Sequence, residues 1–185
     1  ACGSIKHAVG QAASGDEVRV APGLFSEANI NVNDTIYISG GWSDFGNEGQ
    51  GDKPNPALTI VDAGDKGPVF VIGAGKPTIG VLTLQNGQFI NGGAVFINAN
   101  TQPEFNNVVF DHNVATNNGG ALFINAGTGT AVTVRKGIFT NNSAKDVSGG
   151  GSGGAIYISG GTLSLNQSQF ITNTTGSSGG GALTM

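Results

Sequence analysis

Short apolar runs that alternate with period two recur along the chain, and the clearest ones follow a Gly-Gly-Ala unit. The alanines of this unit, Ala94, Ala121, Ala155 and Ala182, are 27 to 34 residues apart. Counting each alanine as the first residue, the second and fourth residues are always aliphatic or Met. Because successive side chains of a strand point to opposite faces, these residues are predicted to point inward. They are Val95/Ile97, Leu122/Ile124, Ile156/Ile158 and Leu183/Met185.

The third residue of each run is predicted to point outward. It changes from Phe96 and Phe123 through Tyr157 to Thr184, a drift toward polarity that is typical of an exposed column. Two interpretations of this stripe stay open. A loop or a neighbouring chain covers it, or it is a flat contact surface for sugar rings or another partner.

A second unit, Phe-x-x-Asn, recurs between the glycine pairs. The Phe is predicted to fill the core, and the Asn to adopt a left-handed backbone and bond the same amide one repeat away. An earlier, less perfect copy is Leu82, Leu84 and Phe89, with Asn91 one place short. Self-similarity at this period indicates a solenoid. The full copies are Phe110/Asn113, Phe139/Asn142 and Phe170/Asn173.

The content of each repeat favours a β-solenoid over a helical one, because β-branched residues alternate and Gly or Asn interrupts every ten residues or so. Each repeat would be one coil of two or three short strands stacked on the next coil. The glycine pair then marks a corner that needs positive φ, and lets adjacent coils approach closely.

The start of the chain has the pattern of a helix rather than that of the repeats. Ile5, Ala8, Val9 and Ala12 have helical spacing, Ser4 can act as N-cap and Gly15 can end the helix. Such a helix would cap the open end of the solenoid. We therefore expect a capping segment at 1–15 and a parallel β-helix at 16–185, with the repeats from about residue 80 onward. Further strands are expected at Val18 and Val20 and within 35–41, 58–64, 68–73 and 78–84.

Composition narrows the classes of function. The 185 residues include 33 Gly and only 11% charged residues, and the net charge is −4. No basic cluster exists to neutralise phosphates, which argues against nucleic-acid binding, and no apolar run is long enough for a membrane span. The only cysteine, Cys2, excludes a disulfide framework. Its thiol is expected to pack under the cap, and lipidation is the alternative.

Candidate chemistry is sparse. Asp44, Glu48 and Asp52 lie in a polar loop between Trp42 and Ala57, but their spacing matches no calcium loop. Asp62 and Asp65 flank a turn, and His112 is expected to face solvent. The acids of the repeat half, Glu104, Asp111 and Asp146, do not fall at equivalent positions on neighbouring coils. We therefore predict no catalytic residue, no cofactor and no metal.

Insertions between repeats collect on one edge, at 111–118, 140–152 and 171–179, which is where solenoids usually bind partners. Asn-x-Ser/Thr sequons make the protein a candidate glycoprotein. Asn141 is the best candidate, because Asn173 also occupies the predicted amide column. The four sequons are at Asn33, Asn141, Asn166 and Asn173.

The opening "SIKHAVGQAASGDEVRVAPGLF", followed by "ISGGW", resembles secreted bacterial right-handed parallel β-helix proteins of the pectin-lyase-like class. The later units, "GGALFI" and "GGAIYI" with "FDHN" and "FTNN", resemble the repeats of chlamydial polymorphic outer-membrane proteins, which are surface-displayed autotransporter adhesins. The resemblance implies an all-β, right-handed parallel β-helix with a short N-terminal capping helix.

The resemblance also implies a secreted or cell-surface protein with a structural or adhesive role. This chain would be a subunit of a surface fibre or the N-terminal part of a larger adhesin. The alternative is a β-helix that binds or degrades polysaccharide as a lyase or hydrolase. Expected partners are glycans or further copies of the chain, which would associate as a homo-oligomer or filament through an uncapped C-terminal end.

Overall fold

The computed structural model describes residues 3–43, 54–145, 150–176 and 179–185. Within these ranges the chain forms one α-helix, one 3₁₀ turn and β-strands that pair only in parallel. The helix, α1, spans Ile5–Gln11, and the 3₁₀ turn spans Pro56–Leu58. The prediction of an all-β parallel solenoid with one N-terminal helix is confirmed.

The strands, numbered in chain order, fall into three six-stranded sheets and one four-stranded sheet within the described ranges. The first sheet contains β1 (Glu17–Arg19), β4 (Tyr37–Ser39), β7 (Thr78–Gly80), β11 (Glu104–Asn106), β15 (Ala131–Arg135) and β19 (Thr162–Asn166). The second contains β2 (Gly23–Ser26), β5 (Thr59–Asp62), β8 (Thr83–Gln85), β12 (Val109–Asp111), β16 (Ile138–Thr140) and β20 (Gln169–Ile171). The third contains β3 (Ile30–Val32), β6 (Phe70–Ile72), β10 (Val95–Ile97), β14 (Leu122–Ile124), β18 (Ile156–Ile158) and β22 (Leu183–Thr184). The four-stranded sheet, called the short sheet below, contains β9 (Gln88–Asn91), β13 (Val114–Asn118), β17 (Ser143–Ala144) and β21 (Thr174–Thr175).

Each coil passes through the first, second and third sheets in turn, which gives six stacked coils in the part of the chain that the structure describes. From the third coil onward, a strand of the short sheet is inserted between the second and third sheets. Three strands of the short sheet, β13, β17 and β21, lie in the segments predicted to be loops on one edge, whereas β9 lies outside those segments. The coils are therefore wider than the two or three strands we expected.

The core is a continuous column of inward side chains, and like residues stack on like. Phe110 and Phe139 are fully buried and their rings are parallel, with centroids 4.5 Å apart. Phe139 stacks in the same way on Phe170, at 4.9 Å. The inward assignment holds for the residues after each alanine, except that Met185, beyond the last strand, is 88% exposed.

The asparagines of Phe-x-x-Asn form the predicted amide ladder. Asn113 Nδ2 donates to Asn142 Oδ1 at 3.0 Å, and Asn142 Nδ2 donates to Asn173 Oδ1 at 2.9 Å. The expected left-handed conformation is wrong for these residues. The residue before each Asn has positive φ instead, because this position makes the corner and leaves the Asn free to turn inward. These residues are His112, Asn141 and Thr172.

The two glycines serve different purposes in the pairs at 92–93, 119–120 and 153–154, whereas Gly180 of the last pair lacks positive φ. Gly119 has φ +66°, a conformation that side chains with a Cβ rarely adopt. Gly120 lacks positive φ, but a Cβ there would collide with the carbonyl oxygen of Gly154 and lie 2.6 Å from the backbone nitrogen of Ser143. The first glycine therefore makes the bend, and the second allows the coils to approach.

The register corrects the expected earlier copy of Phe-x-x-Asn. Leu84, not Phe89, pairs with Phe110, and Asn113 Oδ1 accepts from the backbone N–H of Gly87. Phe89 pairs with Ala115 in the short sheet instead. Asn91 belongs to a second polar ladder, in which its side chain accepts from Asn118 N–H. The periodic sequence did not reveal this ladder.

The capping helix begins as predicted and ends earlier. Ser4 Oγ accepts from His7 N–H at 3.1 Å, and the carboxylate of Glu27 accepts from Ile5 N–H at 2.8 Å. The helix ends at Gln11 with Ala12 as C-cap, so Gly15 does not terminate it. Gly15 instead has positive φ in the turn before β1, where its N–H donates to Thr35.

Two further differences concern the first coils. The segment 78–84 is not one strand, because Val81 has φ +56° and turns the corner between β7 and β8. Strands β2 and β3 were not expected, since Gly23–Ser26 and Ile30–Val32 are too short to show clear alternation. In a solenoid, tertiary pairing between coils decides such short strands.

Candidate functional site

The outward residues of the third sheet form a column of stacked aromatic rings. Phe96 pairs with Phe123, and Phe123 with Tyr157, in parallel register. The ring centroids are 5.4 Å and 5.6 Å apart, and the planes of the stacked rings are nearly parallel. The three rings lie outside the central hydrophobic cluster, in agreement with the predicted direction.

This stack is not an open, flat surface. Phe123 is only 9% exposed, and Phe96 and Tyr157 are half-buried. Because the rings stack face to face, each ring covers a face of its neighbour, and mainly the ring edges are exposed to solvent. The proposed contact role of Phe96, Phe123 and Tyr157 stays a prediction, but the geometry directs attention to the end of the stack.

Phe89 stands at that end, with its ring at 85° to the ring of Phe96 and the centroids 6.1 Å apart. Its side chain is 38% exposed, and the neighbouring Ile90 is 60% exposed. In the two coils that follow, the register replaces Phe89 by Ala115 and then Ala144, both of which are buried. Phe89 is therefore the large, exposed member of an otherwise small-residue column.

A shallow cleft lies beside Phe89, where the coil widens. Strand β9 is the first strand of the short sheet, and the preceding coil has only a turn at this position. The change of width leaves a cleft of about 480 Å³. We call it the ledge, and its lining residues are Asn29, Asp65, Lys66, Gly67, Gln88, Phe89, Ile90 and Thr116.

The wall of the ledge that contains Lys66 and Gly67 is held by hydrogen bonds to its backbone carbonyls. Asn29 Nδ2 donates to the Lys66 carbonyl at 3.2 Å, and Gln88 N–H donates to the Gly67 carbonyl at 3.1 Å. Asn29 and Asp65 both have positive φ, which produces the tight turns of this wall. The ledge is thus fixed by the change in coil width rather than by a flexible loop.

A second, larger cavity of about 760 Å³ lies between the capping helix and the first coil. Its walls are mainly apolar, with contributions from Ile5, Ala8, Val20 and Phe25. Glu17 and Arg19 also line the cavity, and their side chains form an ion pair at 2.9 Å. The sequence pattern predicted the helix beside this cavity but not the cavity itself.

Three of the candidate acids, Asp62, Glu104 and Asp111, have structural partners. Asp62 accepts from Gln85 Nε2 at 2.8 Å and from Asn86 Nδ2 at 3.0 Å. Partial burial raises its pKa, but these bonds and one from Gly64 N–H outweigh burial, so the pKa is lowered overall. Asp62 is therefore a turn former whose carboxylate bonds the next coil, and no bond joins it to Asp65 in the described ranges.

Glu104 and Asp111 also have partners. Glu104 pairs with Arg135 at 3.0 Å, and Asp111 lies 2.7 Å from Nδ1 of His112, whose side chain is 61% exposed as predicted. Among the described residues, no three His, Cys, Asp or Glu side chains are grouped as a metal site would need. Asp44, Glu48, Asp52, Asp146 and Cys2 lie outside the described residues.

The sequons differ in accessibility. Asn33, Asn141 and Asn166 are exposed, whereas Asn173 is half-buried and donates through Nδ2 to the Phe139 carbonyl. A glycan on that nitrogen would break the ladder. Asn141 Oδ1 accepts from Thr172 Oγ1, and its Nδ2 donates to Asp111. Both hydrogen bonds are exposed to solvent. Glycosylation at any of them stays a prediction.

The ledge itself could not be recognised from the pattern of apolar residues. Alignment with Phe110 places Phe89 in the core column, and Gln88 and Ile90 belong to no repeat. The signal that could have identified it is a count of residues between Leu84 and the glycine pair, which shows room for an extra strand. That strand has an aromatic residue where later coils have alanine.

The longest helix in the described part of the chain has seven residues and cannot cross a bilayer. The search of curated proteins and the search of solved structures each gave no match. Two segments, residues 107–125 and 136–159, match the model of the Chlamydia polymorphic membrane protein repeat. The chain is therefore similar, over these two segments, to a repeat found in chlamydial polymorphic membrane proteins.

Proposed function

We propose that this chain is a non-enzymatic structural or adhesive β-helix displayed on a bacterial surface. The observation that carries the proposal is where the repeat match falls. The segment 107–125 contains β12 to β14, and 136–159 contains β16 to β18. Each segment thus supplies the ladder Asn, the core Phe and the glycine pair of one coil, so the similarity concerns the unit that builds the scaffold.

The outer surface suits adhesion better than chemistry. Charged residues make up only 11% of the chain, and the outward columns are mostly Thr, Asn, Ser and aliphatic residues. Exposed apolar side chains on an otherwise polar surface are typical of contact sites, and Phe89 and Ile90 are adjacent examples. Right-handed winding of the pectin-lyase-like kind is part of this proposal, since parallel crossovers are nearly always right-handed.

Partnered carboxylates support the absence of catalysis. Glycoside hydrolysis needs two carboxyl groups roughly 5–9.5 Å apart around the scissile bond, with at least one free to exchange a proton. Glu104 is paired with Arg135, and Asp62 accepts three hydrogen bonds. These groups therefore hold neighbouring coils together.

The alternative is a β-helix that binds or degrades polysaccharide. The ledge favours the binding half of this alternative, because it combines an exposed aromatic ring with a carboxylate, an amine and amides. Incubation of the purified chain with plant and bacterial polysaccharides tests the degrading half. We expect no new reducing ends and no unsaturated products, and release of either would replace the adhesive proposal with an enzymatic one.

Bead adhesion tests the proposal itself. Latex beads coated with the purified chain are expected to attach saturably to epithelial cells, and soluble chain should compete. Beads coated with albumin, or with chain unfolded by heat, are the controls. Attachment no higher than that of the albumin beads would contradict an adhesive role, and negative-stain images would then show whether the chain assembles into fibres instead.

A further inference from the structure

We infer that the ledge binds a neutral oligosaccharide, with one pyranose ring seated against Phe89. The inference rests on the adhesive function proposed above and names the class of ligand for it. Phe89 is the starting point because it is perpendicular to the aromatic stack. Unlike Phe123, which has a parallel ring on each side, it has no stacked partner among the described rings and so keeps a face for a ligand.

The polar groups around Phe89 match the hydroxyl groups of a sugar. Gln88 and Asn29 carry amides that both donate and accept, Thr116 carries a hydroxyl, and the carboxylate of Asp65 can accept from two hydroxyls. Apolar surface with a few placed polar groups is the usual composition of a ligand site. A sugar presents the complement, since its C–H faces are apolar and its rim is hydroxylated.

Charge at the ledge favours a neutral ligand. The lining contains one acid, Asp65, and one base, Lys66, on consecutive exposed positions. The rest of the chain carries net negative charge, −4 in total. A sulfated or sialylated glycan would therefore meet no net positive field, whereas neutral hexoses and N-acetylhexosamines would meet balanced donors and acceptors.

The ledge is also largely preformed. Phe89 and Gln88 lie on a strand, and the wall that contains Lys66 and Gly67 is held by the bonds of Asn29 to Lys66 and of Gln88 to Gly67. Groups that are already fixed lose little conformational entropy on binding. This is important for a shallow site, since weak contacts with sugar hydroxyls must produce net affinity.

An extended peptide that pairs with the edge of β9 is the competing occupant. Such an addition relies on a row of free backbone groups. Here the N–H of Gln88 already donates to Gly67, and the strand has only four residues. The edge therefore offers too short a ladder, and we favour the sugar.

An oligosaccharide array tests the inference. The probes are neutral hexose and N-acetylhexosamine oligosaccharides, with sulfated and sialylated oligosaccharides printed beside them. The wild-type chain is expected to bind members of the neutral set. Binding of the charged glycans alone, or of none of the glycans, would overturn the inference.

Variants connect the binding to the ledge. Phe89→Leu keeps apolar volume without a ring and should weaken binding by about tenfold or more, Asp65→Asn should weaken it as well, and Phe89→Tyr should retain it. Leu24→Ala, at a position 64% exposed on the second sheet, is the matched control and should bind like wild type. Equal binding by Phe89→Leu, Asp65→Asn and wild type would overturn the assignment, with circular dichroism confirming that each variant is folded.

Attachment of coated beads to chemically treated cells distinguishes this inference from the adhesive proposal. Periodate oxidation of epithelial cells, under conditions strong enough to cleave the vicinal diols of neutral sugar rings, should abolish attachment of coated beads. Attachment that survives periodate but is lost after protease treatment would overturn the sugar ligand, and would favour a peptide on the β9 edge. The adhesive function would stand in that case, because the beads would still attach to untreated cells.

Discussion

The side-chain amide of Asn113 donates across 3.0 Å to the side-chain oxygen of Asn142 on the following coil, and both residues are fully buried. Asn142 uses its remaining capacity to donate to the Phe110 carbonyl at 2.9 Å and to Asn173. One side chain therefore satisfies polar groups on the preceding coil and on the following coil. This bond network explains why Asn recurs at a position that could otherwise take an apolar residue.

The first prediction concerns this ladder. Asn142→Ala should lower the free energy of unfolding by about 3–5 kcal/mol, because it leaves several buried donors and acceptors without partners, at about 1–3 kcal/mol each. Urea unfolding followed by circular dichroism measures the change. Asn166→Ala, at an exposed strand position, is the control and should stay within about 0.5 kcal/mol of wild type. Equal effects of the two substitutions would show that the ladder contributes little.

Close approach of the coils gives the second prediction. Gly120→Ala should destabilise by at least about 3 kcal/mol, because its Cβ would collide with the Gly154 carbonyl on the next coil. Gly10→Ala is the control, since it lies in α1 with open space around the added Cβ. It should raise the free energy of unfolding by about 0.5–1 kcal/mol. A tolerated Gly120→Ala, measured in the same urea titration, would contradict the observed coil spacing.

The two aromatic stacks should differ in their contribution to stability. Phe110→Ala, in the core, should cost about 3–5 kcal/mol. Phe123→Ala should cost less, about 2–3 kcal/mol, since the outer ring lies beyond the central cluster and loses mainly its ring contacts. Thermal unfolding of both variants gives the order. A larger loss for Phe123→Ala would make the outer column part of the core.

Acid should weaken the fold partly through Asp62. Because hydrogen bonds from Gln85, Gly64 and Asn86 overcome partial burial, the pKa of this carboxyl lies below its ordinary value of 3.8 in the folded chain. The stability it provides is full above that ordinary value and is lost as the pH falls through the lower, folded pKa. Asp62→Asn should therefore lose less stability than wild type between pH 5 and pH 3. Parallel slopes of melting temperature against pH would contradict this role.

The repeating parts of the fold could be predicted because each recurring residue meets a requirement of its own position, such as a bend, a core contact or a hydrogen bond between coils. The glycine pair, the core Phe and the ladder Asn recur in register, so the position of one coil predicts the next. The exact use of these residues was harder to predict. Left-handed backbone falls on His112 and Asn141 rather than on the ladder Asn, since a corner can use either of two adjacent residues.

The candidate site could not be predicted, because it arises where the repetition changes. Phe89 resembles the core phenylalanines in sequence, and only the strand register places it opposite Ala115. The ledge also joins Asn29, Asp65 and Gln88 from three successive coils. Contacts between coils depend on the length of each turn, which the local pattern of apolar residues does not specify.

The parallel, in-register stacking of coils is the central claim, and a disulfide cross-link tests it most directly. Glu104 and Thr133 are paired on adjacent strands of the first sheet. For the experiment, Cys2 is replaced by serine so that the introduced cysteines are the only ones. Replacement of Glu104 and Thr133 by cysteine should give a cross-link on mild oxidation, since paired Cα atoms of neighbouring strands lie about 5 Å apart. Glu104→Cys with Arg135→Cys, offset by two residues to about 8 Å, should not. Efficient cross-linking of the offset pair, or failure of the paired one, would contradict the account.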